Sequence, residues 1–223
     1  MSEAAELVRT KLKNILSNCF TDDFVIGEFR RLDPGMGYLS VIYSVSLKWA
    51  ISESAVSNVV VKIPSLEKLA KQYSGIDSSA DDPDQLELLK YFIIRGHSRE
   101  CKLYQYFAKL SDVKADCQLL VPKIFGVRDI SLEAEGNETT NSGYIVMEDW
   151  SKIGTPGRLL AGLSIEQVEH TVEALARLHA QSIRDKSWKK AMEHYPDSIV
   201  HGLCEAAVKS AAFFISAFPH IFT

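Results

Sequence analysis

The sequence lacks a C-x-x-C motif and contains no long apolar run. Its 223 residues include four cysteines, Cys19, Cys101, Cys117 and Cys204. No two of them have the C-x-x-C spacing that brings thiolates onto one metal or one redox couple, so we expect free, mostly buried thiols. The least polar stretch, 210–223, is interrupted by a proline and is shorter than the roughly 20 residues that a membrane span needs. We therefore expect no membrane span.

An excess of positive charge is also missing. Lysine and arginine total 25 against 29 aspartates and glutamates, for a formal charge of −4, and the basic residues are spread along the chain. This distribution gives no basic surface for DNA or RNA, so nucleic acid is not expected as a partner. Glu3 and Glu6 stand where a secretory signal would carry positive charge, so the expected location is cytoplasmic.

What is present is an ordinary globular composition, with 46% hydrophobic and 24% charged residues. Residues 2–17 have the periodicity of an amphipathic helix. Three segments rich in β-branched and aromatic residues follow and predict strands, with short turns between them. These predicted strands are 24–32, 38–49 and 58–63. Short turns between consecutive strands predict an antiparallel meander.

The second half of the chain begins with helical patterns and changes character near residue 150. Helices are predicted at 85–95 and 98–110, and two more strands at 123–131 and 143–149. Beyond them Ser164 to Gln167 reads as a capping box that starts a helix, and a last helical run covers 197–218. The predicted fold class is α+β, with a lobe of five antiparallel strands plus helix at 1–150 and an incomplete helical lobe at 151–223.

Lys62 follows three consecutive valines in a predicted strand. Its ammonium either extends to water from an edge strand or meets an anion. Glu100, in the following helix, is the natural partner, since opposite charges near 4 Å attract by roughly 4 kcal/mol at an effective dielectric of about 20. A strand lysine and a helix glutamate in this order are typical of protein kinases.

A glycine-rich segment connects the first two predicted strands. Gly35 and Gly37 are compatible with a tight hairpin that needs positive φ angles. They are also compatible with a loop whose backbone N–H groups, with the hydroxyl of Ser40, bind nucleotide phosphates. The position of the segment, about 25 residues before Lys62, favours the phosphate-binding interpretation.

The last predicted strand ends in two acids, at the point where strands give way to helices. Two acids that end a strand are commonly a solvated turn. In the kinase arrangement this point is the hinge, whose backbone groups hold adenine. The predicted adenine contacts are therefore the C=O of Glu148 and the N–H of Trp150, with Met147 beside the base.

Taken together, these segments resemble the CHK kinase-like proteins, which are relatives of ecdysteroid kinases, choline kinases and aminoglycoside phosphotransferases. The resemblance extends from about residue 20 to 182. It rests on Gly37-Tyr38-Leu39-Ser40, the strand around Lys62, His97-Ser98-Arg99-Glu100 with Tyr104, Val121-Pro122-Lys123, Val146-Met147-Glu148-Asp149 and Leu175-Ala176-Arg177-Leu178-His179-Ala180.

The resemblance implies a protein-kinase-like small lobe followed by the start of a large lobe. It implies that Lys62 binds the α and β phosphates of ATP, that Glu100 orients Lys62, and that the hinge holds adenine. It places His179 and Ala180 in the first large-lobe helix, where we expect them to be packing residues.

The catalytic loop of such kinases has no counterpart here. Kinases of this fold use His-Gly-Asp, an asparagine five residues later and a further aspartate for Mg²⁺. His201-Gly202 is followed by Leu203, Val208 stands at the asparagine position, and no aspartate follows Asp197. We therefore expect no catalytic residue and no metal ligand in this sequence, which reads as truncated before the catalytic loop. The apolar segment at its end predicts a protein partner that covers it.

Two functions remain open from the sequence. The first is the nucleotide-binding portion of an ATP-dependent small-molecule kinase with a hydroxyl acceptor, catalytically incomplete as it stands. The second is a non-catalytic, pseudokinase-type interaction module, which the sequence does not separate from an unproductive fragment.

Overall fold

The computed structural model describes residues 2–32, 40–50, 56–65, 83–113, 121–130, 143–152, 154 and 162–192. Its elements are α1 (Glu3–Ser17), β1 (Phe24–Arg31), β2 (Ser40–Trp49), β3 (Asn58–Pro64), α2 (Pro83–Val113), β4 (Ile124–Arg128), β5 (Tyr144–Glu148), α3 (Ile165–Arg184) and α4 (Ser187–Met192). The chain divides into two compact units, Met1–Trp188 and Lys189–Thr223. The helix predicted at 197–218 lies outside the described residues.

The five strands form one sheet in the order β1-β2-β3-β5-β4. Every neighbouring pair is antiparallel. This confirms the predicted α+β class and the five-stranded antiparallel sheet. The first three strands are the predicted meander, and β5 lies between β3 and β4. The strand that leads to the hinge therefore runs directly beside the strand that carries Lys62.

Side chains alternate between the two faces of β3, as the period of a strand requires. Val59, Val61 and Ile63 are buried, and they share one hydrophobic core with Leu12, Ile15 and Leu16 of α1. The residues between them, including Lys62, project from the opposite face. Helix α1 thus covers one face of the sheet, and Lys62 projects from the other.

A β-bulge in β1 marks where α1 meets the sheet. The register shifts between Ile26 and Phe29. The guanidinium of Arg9 donates to the carbonyls of Ile26 at 2.6 Å and Gly27 at 3.1 Å. On the other strand the Ser46 hydroxyl accepts from the Glu28 N–H at 2.8 Å and donates to its C=O at 3.1 Å. The bulge is therefore held from both sides.

Helix α2 is one helix of 31 residues, and the predicted break into helices at 85–95 and 98–110 is wrong. Gly96 lies between the two predicted helices, and glycine costs about 1 kcal/mol relative to alanine inside a helix. The next residue, His97, is buried, and its ring Nε2 lies 2.8 Å from the carbonyl of Arg128 in β4. Tertiary packing at His97 compensates the poor local propensity.

Helix α3 begins at the predicted capping box. The Ser164 hydroxyl accepts from the Gln167 N–H at 3.2 Å, and the Gln167 side chain accepts from the Ser164 N–H at 2.9 Å. Its apolar side chains are exposed: Val172 keeps 58% of its surface and Ile165 keeps 79%. His179 is exposed as well, so its expected packing role is wrong, because no described element covers that face of α3.

Candidate nucleotide-binding site

The centre of the site is an ion pair between Lys62 of β3 and Glu100 of α2. The Lys62 Nζ lies 2.6 Å from both carboxylate oxygens of Glu100, and the two side chains keep 24% and 27% of their surface exposed. Lys62 is opposite Ile42 of β2 and Ile145 of β5. It therefore lies on the central strand of the sheet, and the edge-strand alternative is wrong.

The pairing leaves Lys62 able to bind another anion. An ammonium group has three N–H donors and no acceptor, and Glu100 takes up at most two of them in this geometry. Both side chains remain partly accessible to solvent. A phosphate oxygen could therefore reach Nζ without breaking the ion pair.

A buried histidine fixes the part of α2 that carries Glu100. His97 Nε2 lies 2.8 Å from the Arg128 carbonyl and 3.3 Å from the Cys101 sulfur. Burial lowers the pKa of His97, although the Arg128 carbonyl and the nearby Asp129 and Glu100 carboxylates act in the opposite direction. The ring is therefore neutral near pH 7 and donates to Arg128, which ties α2 to β4.

The hinge residues are also held in place. Met147 lies opposite Val60 on one side and Ile124 on the other. The Glu148 Oε2 accepts from the Trp150 indole at 2.9 Å and from the Lys123 N–H at 3.3 Å. These contacts fix the Glu148 side chain. The adenine contacts assigned to Met147, Glu148 and Trp150 stay predictions.

The sequence prediction did not identify Asp149 as a residue that links the hinge to β2. The Ser44 hydroxyl donates to Asp149 Oδ2 at 2.6 Å, and the Ser151 N–H donates to Oδ1 at 2.8 Å. Burial raises the pKa of Asp149, but the hydrogen bonds from Ser44 and Ser151, with the charge of Arg30, outweigh it and lower the pKa overall. Asp149 is thus a carboxylate at neutral pH.

A cavity of about 380 Å³, here called the hinge-end cavity, opens beside Asp149. It lies on the sheet face opposite α1, because Arg30, Ser44 and Asn58 have the parity of Lys62 rather than of the core residues. The lining residues come from β1, β2, β3 and the hinge: Glu28, Phe29, Arg30, Ser44, Ser46, Asn58, Asp149, Ser151 and Lys152. Its size is within the range of small-molecule pockets.

Of the remaining predicted site residues only Ser40 is described, and it belongs to the other end of the same strands. Ser40 is buried at the start of β2, opposite Pro64. The hinge lies at the opposite end of β3, since Glu148 is opposite Val59, and Lys62 stands between the two. Gly35 and Gly37 lie outside the described residues, so their phosphate-binding role stays a prediction.

Comparison with known proteins assigns the chain to a family. The model of family DUF1679, described as "Uncharacterized oxidoreductase dhs-27", matches residues 26–213. The chain belongs to this family. DUF1679 is a kinase-like family, in line with the resemblance seen in the sequence. Searches of curated proteins and of solved structures found no match.

The word "oxidoreductase" in the DUF1679 description has no counterpart in the described part of the fold. Nicotinamide-dependent oxidoreductases of the doubly wound type bind the dinucleotide at a mostly parallel βαβ sheet. All four strand pairs of the described sheet are antiparallel. A sheet of this kind, with a lysine-glutamate pair on the face opposite α1, is instead consistent with a kinase-like small lobe.

Within the described ranges, no helix combines the length and apolar character needed to cross a bilayer. The same residues contain no group of three or more His, Cys, Asp or Glu side chains placed to hold a metal ion.

Proposed function

We propose that this chain is the nucleotide-binding portion of an ATP-dependent small-molecule phosphotransferase of the CHK and ecdysteroid kinase type. The observation that carries the proposal is the ion pair between Lys62 Nζ and both oxygens of Glu100, at 2.6 Å, on the sheet face opposite α1. Membership in a kinase-like family supports it.

The spacing along β3 suits a nucleotide. Asn58 lines the hinge-end cavity, and Lys62 projects from the same face four residues later. At 3.3 Å per residue these positions are about 13 Å apart, comparable with the extent of a nucleoside and its first phosphates. In the proposed arrangement the base occupies the cavity and Lys62 binds the α and β phosphates.

The proposal is limited to binding. Phosphoryl transfer also needs a base for the acceptor hydroxyl and carboxylates for Mg²⁺, and this sequence has no His-Gly-Asp motif. Among the described residues no carboxylate cluster fits a metal ion. The role proposed for these 223 residues therefore includes no metal-dependent step.

The test is a thermal-shift titration with Mg-ATP on three proteins: wild type, Lys62→Ala and Lys13→Ala. Lys13 is an exposed residue of α1, the helix that packs on the face of the sheet opposite Lys62. Lys13→Ala is the matched control, because it also removes one positive charge. We expect ATP to raise the Tm of wild type and Lys13→Ala but to have less effect on Lys62→Ala. An equal shift for Lys62→Ala would show that Lys62 does not contact the nucleotide.

The exposed apolar face of α3 favours a second candidate, a pseudokinase-type interaction module. Val168, Val172 and Leu175 keep 45%, 58% and 48% of their surfaces exposed, and contiguous apolar surface of this kind often marks a protein interface. A stable monomer that binds no hydrophobic dye and no partner would count against this candidate.

For the location of the protein we propose the cytoplasm. The two described cysteines, Cys19 and Cys101, are free thiols. Burial raises the pKa of Cys19 to about 11 and that of Cys101 to about 12. Free thiols are usual in reducing compartments. Microscopy of the tagged full chain, with a secreted disulfide-bonded control, tests this location.

A further inference from the structure

The hinge-end cavity has a largely polar lining. On the sheet side the cavity is lined by Ser44, Ser46 and Asn58. These side chains can form hydrogen bonds with a base, whereas an apolar lining would offer only stacking and dispersion contacts. On the hinge side it contains Asp149, with Arg30 and Lys152 nearby. Donors and acceptors therefore face the space in which the proposed function places the base.

Asp149 still has acceptor capacity. A carboxylate offers about four acceptor positions on its two oxygens. Ser44 uses one on Oδ2, the Ser151 N–H uses one on Oδ1, and the Ser151 side chain also hydrogen-bonds to the carboxylate. The bonds from Ser44 and the Ser151 N–H hold the plane of the carboxylate, and a ligand that donates to both oxygens would replace the Ser151 hydroxyl. A preorganised pair of acceptors at the wall of a cavity suits a ligand with two adjacent donors.

Guanine has two such donors, whereas adenine does not. The Watson–Crick edge of guanine presents N1–H beside the N2 amino group, and its O6 and N7 are acceptors. The corresponding edge of adenine presents an amino group beside the N1 lone pair, which a carboxylate would repel. Arg30 and Lys152, on the same cavity, are donors of the kind that pairs with O6 and N7 of guanine.

Resting on the proposed nucleotide-binding function, we propose that the cavity recognises guanine through a bidentate contact with Asp149, so that GTP binds more tightly than the ATP expected from the family resemblance. The ion pair of Lys62 and Glu100 serves the phosphates of either nucleotide. The selectivity therefore comes from the hinge end of the site alone.

The experiment is a calorimetric titration of the full chain with GTP and with ATP. We expect GTP to bind roughly tenfold tighter or more, the scale of one bidentate pair. In Asp149→Asn the amide offers one donor and one acceptor, the arrangement that pairs with adenine, and the preference should shift toward ATP. Asp22→Asn, an exposed acid outside the cavity, should keep the wild-type preference.

Inosine triphosphate gives a measurement that needs no variant. It lacks only the N2 amino group of guanine, so wild-type protein should bind it roughly tenfold more weakly than GTP if both donors contact Asp149. Equal affinities for GTP and inosine triphosphate would overturn the bidentate contact, as would an unchanged preference in a folded Asp149→Asn.

The outcomes separate this inference from the function on which it rests. If wild type binds ATP as tightly as GTP or more tightly, and Lys62→Ala loses this binding, guanine recognition is overturned and the nucleotide-binding function stands. Absence of binding of either nucleotide would overturn both.

Discussion

Ser44 and Asp149 are 105 positions apart in the sequence, yet their side chains form a hydrogen bond of 2.6 Å. The bond joins the middle of β2 to the residue that follows β5. Because β3 lies between those strands, it links the hinge to the sheet across the strand that carries Lys62. The hinge end of the cavity is therefore shaped by a contact between distant segments.

Replacing Ser44 by alanine should reduce stability. Asp149 would keep the Ser151 N–H but lose a hydrogen bond to a charged group, and such bonds contribute about 1.5–3 kcal/mol when well shielded. Since the site is partly solvated, we expect a loss of about 1–2 kcal/mol in the free energy of unfolding, measured by urea denaturation at pH 7. Ser17→Ala, at the exposed end of α1, is the control and should change it by less than about 0.5 kcal/mol.

The same pair predicts a dependence on acid. The pKa of Asp149 is lowered from its ordinary value of 3.8, so its contribution is present above 3.8 and is lost as pH falls through the folded-state pKa. The stability difference between wild type and Ser44→Ala should therefore shrink below pH 3.8. If the stability difference between wild type and Ser44→Ala stays constant down to the pH of acid unfolding, the hydrogen bond to an ionised Asp149 is contradicted.

The coupling between Lys62 and Glu100 should be measurable by a double-mutant cycle. With Lys62→Met, Glu100→Gln and the double variant, we expect a coupling free energy of about 1 kcal/mol, because the pair is partly exposed and doubly hydrogen-bonded. Arg177 and Glu173, an exposed i,i+4 pair on α3 with a 2.6 Å contact, provide the matched control. Their coupling should be only about 0.3–0.5 kcal/mol, and equal couplings would contradict a special geometry at Lys62.

His97 should make the fold sensitive to mild acid. Burial is the main cause that lowers the pKa of His97 below 6.5. The unfolded chain therefore binds a proton near pH 6.5 before the folded one does, and stability falls as pH decreases from there through the folded-state pKa. In His97→Gln this part of the pH dependence should disappear from urea denaturation curves. The exposed His170 is the control, since His170→Gln should retain the wild-type profile.

Gly143 should not tolerate a side chain. A β-carbon there would collide with the Nε2 of His97 and come within 2.9 Å of the Ile130 side chain. Gly143→Ala should therefore cost about 1–3 kcal/mol in the free energy of unfolding, the usual range for overpacking. At Gly154 the nearest atom to an added β-carbon is 3.6 Å away, so Gly154→Ala should be close to neutral in the same thermal or urea assay. Similar losses in both variants would show that the His97 contact does not limit position 143.

Much of the small lobe could be predicted from local patterns. The strands at β1, β2 and β3 follow from alternating β-branched residues, and α1 follows from its apolar period and the Ser2 cap. Pairing of Lys62 with Glu100 followed from their order along the chain. The continuity of α2 through Gly96 could not be predicted, because it depends on the packing of His97 against β4.

The sequence by itself determined where the strands lie along the chain, the capping box at Ser164 and the residues able to carry charge at the site. These depend on local periodicity and side-chain chemistry. Only the tertiary structure decided which of those residues meet. Antiparallel register placed Ser44 beside Asp149 and Asn58 on the face of Lys62, and packing left the apolar side of α3 exposed. Contacts between segments up to about a hundred residues apart depend on strand pairing and core packing, which no local pattern encodes.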